Sequence, residues 1–284
     1  MSEFTVPLHD GTTLAATAVG SGPALLLPVR TQPYDEAMAE NMRQWGADPD
    51  LGGTLVRGLS ERFRVIAADY EGHRMENPAA ETLVPQNLVA DLLAIADAAE
   101  ADRFAYYGYS WLALAGLQLA VRTDRLWGLV MGGYPPVDGP YRAMLDVTRA
   151  AHEKALAPQE PTGEPVTPGD WDAAGITVGN RVTAQFVTLY EALQDFDDGT
   201  AEQALAMPRL AFAGTEDNIT YGPGWGDTIV RIAEPLARHR DELTRHGWDI
   251  QLLAGLDHMS AMHSSNVLPL LSDWLTANTP GATR

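Results

Sequence analysis

Tyr106-Tyr107-Gly108-Tyr109-Ser110-Trp111 joins a short strand-forming run, Arg103 to Tyr107, to a helical run, Trp111 to Val121. A serine at such a junction is held on a tight turn between strand and helix, with its hydroxyl presented at the edge of a sheet. The turn brings two backbones close, so small residues are needed two positions to either side. Gly108 meets that need before the serine and Leu112 does not meet it after. The expectation is a helix tilted outward or a less strained turn. The plainer reading of Ser110 is an N-cap for the following helix, a position where serine is favoured.

Working outward, Glu3 to Leu8, the turn His9-Asp10-Gly11-Thr12 and Thr13 to Val19 read as an antiparallel hairpin. Ala24 to Val29 is a continuous apolar run of the kind found in strands buried on both faces. Helical runs follow at Asp35 to Trp45 and Leu51 to Glu61, then a second buried strand, Arg64 to Ala68, ending at Asp69. From Leu83 to Glu100, Leu88, Val89, Leu92, Leu93 and Ile95 recur at helical spacing. With the strand Leu126 to Met131, this makes repeated strand-helix-strand units. Their natural product is an α/β fold: a mostly parallel twisted sheet with helices on both faces.

The pattern breaks at Gly132-Gly133-Tyr134-Pro135-Pro136, and helical segments without a convincing strand follow. Residues 135–206 therefore read as an inserted helical cap on a core of residues 1–134 and 207–284. Within the cap, Ala157 to Asp170 reads as a loop, and Asn180 to Phe196 as a helix with Val182, Phe186, Leu189 and Leu193 on one face. The core resumes with a strand at Arg209 to Ala213, a long helix at Asp227 to His246, a strand at Ile250 to Leu253 and a final helix at Ser265 to Thr276.

Composition narrows the function classes. Of 284 residues 45% are hydrophobic and 20% charged, the balance of a globular chain. A formal charge of −19 repels a polyphosphate backbone and an anionic membrane face, so neither nucleic acid nor membrane is an expected partner. The absence of cysteine removes disulfides, thiolate metal sites and cysteine nucleophiles. MSEFTVPLHDG lacks the basic start and apolar run of a secretory signal, so a cytoplasmic protein is expected. A homodimer is compatible with all of this.

After Arg209 to Ala213 comes Gly214-Thr215-Glu216-Asp217, and after Ile250 to Leu253 comes Ala254-Gly255-Leu256-Asp257-His258. A neutral hydroxyl is a poor nucleophile until an imidazole takes its proton and a carboxylate fixes the imidazole's tautomer. Ser110, His258 and Asp217 supply these three groups. Glu216 is the rival acid, Asp217 also suits an Asx turn, and His258 also suits a structural loop histidine. His263 reads as a helix start. The spacing of His258 and His263 is not that of a helical zinc pair, and no metal or other cofactor is expected.

With these motifs the chain resembles the α/β-hydrolase family over nearly its whole length. In that family the triad runs Ser, acid, His, each at the C-terminal end of a strand. Val65-Ile66-Ala67-Ala68-Asp69-Tyr70-Glu71-Gly72-His73 is similar to the family's strand and Asp-x-x-Gly-His-Gly loop, with Arg74 and Glu76 where the later Gly and a Ser usually stand. Gly22-Pro23-Ala24-Leu25-Leu26-Leu27 is similar to the segment leading into a His-Gly pair, whose place Val29 and Arg30 take. The resemblance implies oxyanion N–H donors from Thr31 and from Trp111, the residue after the nucleophile. A serine at the elbow argues against the branch resembling haloalkane dehalogenases and epoxide hydrolases, which uses Asp there.

What the resemblance implies is a serine hydrolase cleaving a carboxylic ester, thioester or lactone through an acyl-enzyme. C–C bond hydrolysis, acyl transfer and cyclisation are other uses of the same serine. The departures at Val29, Arg30 and Leu112 also suit a small-molecule-binding protein that kept the fold and lost efficient catalysis. Tyr109, Tyr134, Trp171, Phe186 and Tyr190 gather near the expected cleft, so a hydrophobic, ring-containing or medium-chain acyl substrate is expected. Arg30 is placed to grip a substrate carboxylate or the oxyanion, or else to pair with Asp35, Glu36 or Asp69.

Overall fold

A computed structural model describes residues 1–157 and 178–281. The hairpin forms as β1 (Ser2–Pro7) and β2 (Thr13–Val19), with Gly11 at φ 81° in its turn. Then come β3 (Ala24–Leu27), α1 (Glu36–Gln44), α2 (Leu51–Leu59), β4 (Arg64–Ala68), α3 (Tyr70–Glu76) and α4 (Pro85–Ala98). The central unit is β5 (Phe104–Tyr109), α5 (Trp111–Ala120) and β6 (Leu126–Gly132). Among the described residues, three helices, α6 (Tyr141–Leu156), α7 (Asn180–Glu191) and α8 (Asp198–Gln203), lie between β6 and β7 (Arg209–Gly214). The chain continues through β8 (Asn218–Thr220), β9 (Ile229–Arg231), α9 (Ala233–Arg238), α10 (Arg240–Arg245), β10 (Trp248–Leu253), α11 (His258–Ala261) and α12 (Ser264–Asn278).

Eight strands form one sheet in the order β1-β2-β4-β3-β5-β6-β7-β10. The pairs β1–β2 and β2–β4 are antiparallel and every later pair is parallel. Side-chain alternation divides the core into two layers. Leu25 and Leu27 pack with Val65, Tyr107 and Phe212 under α2 and α12, while Leu26 turns to Ile66, Tyr106 and Met131 under α4 and α5. All of β3 is buried, which is why it reads as an unbroken apolar run. Each of its fully buried leucines contributes about 1.5–3 kcal/mol.

Three expectations need correction. Asp69 is followed by a helix, α3, where a loop was expected: Asp69 Oδ1 accepts from Gly72 N at 2.9 Å and caps it. Arg74 on that helix is fully buried, with Nη1 2.7 Å from Asp10 Oδ2 and Nη2 donating to Thr12. Arg74 thus ties α3 to the β1–β2 turn. Burial opposes the charge on Asp10, but the hydrogen bonds from Arg74 and Thr12 prevail and hold its carboxyl well below the ordinary range.

The long helix expected over Asp227 to His246 is instead a strand and two short helices. Ile229-Val230 is β-branched and pairs with Asn218–Thr220, and Gly226 and Asp227 take φ 78° and 52°, which no helix continues through. The later break falls at His239, whose ring nitrogens lie 2.7 Å from Asp138 and 3.0 Å from Glu242. The helix expected to reach Phe196 ends at Glu191 and gives way to turns. The expected loop beyond Ala157, and Trp171, lie outside the described residues. Among the described residues no helix is long and apolar enough to cross a membrane.

Candidate active site

Ser110 adopts φ 56° and ψ −128°. An L residue holds such a conformation at a cost of about 1–3 kcal/mol, and only where its surroundings over-determine it. Here they do. Ser110 N–H donates to Gly132 O at 2.8 Å, and Tyr106 Oη donates to Leu112 O at 2.8 Å. A Cβ on Gly108 would stand 2.2 Å from Leu112 O and 2.9 Å from Ala113 N. The expected relaxation of the turn is therefore absent, because the tight contact is made by the Leu112 backbone, which any residue supplies. The Leu112 side chain is buried, and the next close approach falls one turn on, where a Cβ on Gly116 would lie 2.7 Å from the Tyr106 ring.

Ser110 stands at the N-cap position of α5, yet its side chain makes no capping hydrogen bond. The capping reading is thus not realised. Trp111 holds the first position of the helix, where a backbone N–H has no intrahelical acceptor. Its indole Nε1 donates to Glu71 Oε1 at 2.7 Å, and the Phe186 ring meets it edge-on at 5.3 Å.

Asp217 is fully buried at the end of β7, and its Oδ1 lies 2.9 Å from Nδ1 of His258. An ionised carboxylate only accepts, so Nδ1 carries the proton and Nε2 is the basic nitrogen. Glu216, the rival acid, is exposed and turned to Thr215. His258 opens α11, whose N-cap Asp257 accepts from Ser260 N at 2.8 Å in a capping box. Tyr109 Oη donates to His258 O at 2.7 Å, with the two rings 5.1 Å apart. Two glycines admit this loop. A Cβ on Gly214 would lie 2.0 Å from Leu256 O, and one on Gly133 3.0 Å from His258 Cε1.

Ser110 and His258 line one cavity of about 130 Å³ together with Tyr134, Met144, Tyr190 and Tyr221. Ser110 Oγ makes no hydrogen bond to the imidazole, whose side-chain partner is Asp217. A second cavity, of about 160 Å³, borders the same elbow at Gly108 and Tyr109 and is lined by Arg30, Tyr34, Glu71 and Leu112.

Of the residues read from sequence, Ser110, Asp217, His258, Tyr134 and Tyr190 come together around the first cavity or directly behind it. Tyr109 supports His258 and borders the second. Arg30 borders the second as well, with Nη1 3.4 Å from Asp69 Oδ2, Nε donating to Gln32 O and its guanidinium 4.6 Å over the Tyr34 ring. Thr31 borders neither cavity. It opens on a depression beside β1 and β2 with Gln32, Asp69 and His73.

Glu71 was not singled out from sequence, where it is one of two variable positions in the loop motif. Its side chain lines the second cavity and keeps accessible surface. Burial, partly offset by the Trp111 hydrogen bond, raises its carboxyl above the ordinary value, and the Asp69 charge adds to the rise. Among the described residues no group of three or more His, Cys, Asp and Glu side chains is arranged to hold a metal ion.

No protein-family model matches the chain and no curated protein is significantly similar to it in sequence. Solved structures share its shape. The esterase RhEst1 from Rhodococcus sp. ECU1013 is 17% identical with a TM-score of 0.58, covering 99% of each chain. The enol-lactonase from Burkholderia xenovorans LB400 is 20% identical with a TM-score of 0.60, over 96% of this chain and 100% of the other. An epoxide hydrolase from metagenomes of hot environments is 14% identical with a TM-score of 0.54, covering 99% of each.

Proposed function

We propose that this chain, which has the α/β-hydrolase fold, is a serine hydrolase cleaving a carboxylic ester, thioester or lactone of a small hydrophobic molecule. One observation carries the reading: a serine held at positive φ shares a cavity with a histidine whose Nδ1 is bonded to a buried carboxylate. A backbone conformation that an L residue rarely holds is of the kind that clusters at functional sites. The likeness in shape to an esterase and an enol-lactonase is compatible with the reading, although the same fold also carries an epoxide hydrolase.

In the proposed reaction the Ser110 Oγ attacks the substrate carbonyl carbon as His258 Nε2 takes its proton. Asp217 holds the ring and stabilises the imidazolium. The Trp111 N–H, unpaired within its helix, donates to the developing oxyanion. Collapse expels the alcohol, thiol or enol with the proton from His258 and leaves Ser110 acylated. Water, deprotonated by His258, then attacks the acyl carbon, the acyl–Oγ bond breaks, and His258 returns the proton to Ser110 Oγ as the acid leaves. The compact cavity with Tyr134, Met144 and Tyr190 suits a short or ring-shaped acyl group.

A second reading, a weakly catalytic binding protein on the same fold, is favoured by the missing Ser110–His258 hydrogen bond. Hydrolysis of a panel of p-nitrophenyl esters, thioesters and lactones separates the two. Turnover with a pre-steady-state burst, falling off for long acyl chains, is expected. A folded protein inert toward all three classes overturns the hydrolase.

A further inference from the structure

We propose that the cavity bordered by Gly108 and Tyr109 receives a cationic, ammonium-type head group of the substrate, and that Glu71 selects it. The proposal rests on the hydrolase reading for which molecule carries that head group. Its basis is a carboxylate left without a counter-charge in a small aromatic cavity beside the nucleophile.

Three carboxylates and one guanidinium border this cavity. Asp48 accepts from Ser264 N at 3.0 Å and has His263 Nδ1 3.8 Å away. Asp69 caps α3 and pairs with Arg30, and Arg30 is engaged by Asp69, Gln32 O and the Tyr34 ring. Glu71 accepts one hydrogen bond, from the Trp111 indole, and has no cationic partner among the described residues. An ionised carboxylate has about four acceptor positions, so the single bond from Trp111 leaves Glu71, a wall of this cavity, with acceptor capacity for a ligand.

The walls match a cation that must shed water. Tyr34, Tyr107 and Tyr109 offer aromatic surface, and Leu112 and Met42 offer apolar surface. An ammonium is attracted to the negative faces of such rings. The volume, about 160 Å³, holds a head group and not a long chain. The location also fits, because Glu71 is bonded to the side chain of the residue whose backbone N–H is assigned to the oxyanion. The net charge of −19 draws cations toward the molecule from a distance.

The test uses the Ser110→Ala protein, titrated calorimetrically with choline and with its uncharged carbon isostere, 3,3-dimethylbutan-1-ol. Choline is expected to bind at least about tenfold more tightly, and Glu71→Gln, which keeps an acceptor for the indole, is expected to bring the two to parity. Equal binding, binding by neither probe, or a choline preference that survives Glu71→Gln overturns the proposal. If the Gln variant does not fold, Glu71→Met in the Ser110→Ala protein takes its place, and a choline preference that survives it overturns the proposal. With active protein, the butyrate ester of choline should be favoured over that of the isostere through KM, and Glu71→Gln should abolish the preference. A protein that binds choline but cleaves neither ester would refute the hydrolase reading and leave the head-group assignment standing.

Discussion

Replacing Gly108 by alanine tests the elbow where it is tightest. The new methyl would stand 2.2 Å from Leu112 O, 2.5 Å from Leu112 C and 2.9 Å from Ala113 N. All three are backbone atoms on the first turn of α5, so no rotamer change relieves the clash. Normal contact between heavy atoms begins near 3.5 Å, so the start of the helix must retreat from β5 by roughly 1 Å. Overpacking of this kind costs about 1–3 kcal/mol. In a chain of this length each kcal/mol lowers Tm by roughly 2–4 °C. The catalytic cost is larger, because the retreat carries the Trp111 N–H away from Ser110, and a displacement of about 1 Å can lower a rate by about 10²-fold. Hydrolysis of a short p-nitrophenyl ester and a thermal melt measure both. A Gly108→Ala protein with kcat within about twofold of the parent and an unchanged Tm would refute the argument.

Asp217→Asn should leave the fold intact and lower kcat by about 10⁴-fold, since the amide no longer enforces the productive tautomer of His258; ester kinetics showing less than about a tenfold loss would count against it. Asp91 is fully buried and accepts from His9 N, His9 Nδ1 and Tyr70 Oη at 2.8, 2.9 and 2.7 Å. Asp91→Ala strands those three donors, so urea unfolding should show a loss of about 3 kcal/mol or more, and a loss under about 1 kcal/mol would contradict this. Burial disfavours the charged form of His239, but hydrogen bonds to Asp138 and Glu242 outweigh it and raise its pKa above the ordinary value. The stability this contributes is complete below the unfolded value of about 6.5 and is lost as pH rises through the raised folded value. The Tm gap between the parent and His239→Gln should narrow as pH rises above about 6.5 and through the raised folded value, and a constant gap would show that the charge contributes nothing.

The middle of the sheet was legible because its central strands are buried on both faces: Ala24-Leu25-Leu26-Leu27 and Leu210 to Ala213 carry no polar alternation to mistake for anything else. The triad residues were legible because each lies just beyond a strand: Ser110 directly after β5, Asp217 three residues past β7 and His258 five residues past β10. The segment after Asp217 was not. Ile229, Val230, Ile232, Leu236 and Leu243 fit a helical stripe by spacing, and only the positive φ at Gly226 and Asp227 shows that the first of them turn back on β8. Arg74 looked like a departure from the loop motif. Its reason, the Asp10 carboxylate 64 residues away in sequence, is a tertiary contact that no local pattern encodes. Glu71 escaped for the same reason, since its meaning lies in Trp111, 40 residues on.

The central claim is an activated serine at position 110, and the most direct test is intact-mass detection of a fluorophosphonate adduct on the parent protein, Ser110→Ala and His258→Ala. The account predicts one adduct on the parent, none on Ser110→Ala and greatly slowed labelling of His258→Ala. A well-folded parent that takes no adduct, or an adduct that persists in Ser110→Ala, would contradict it.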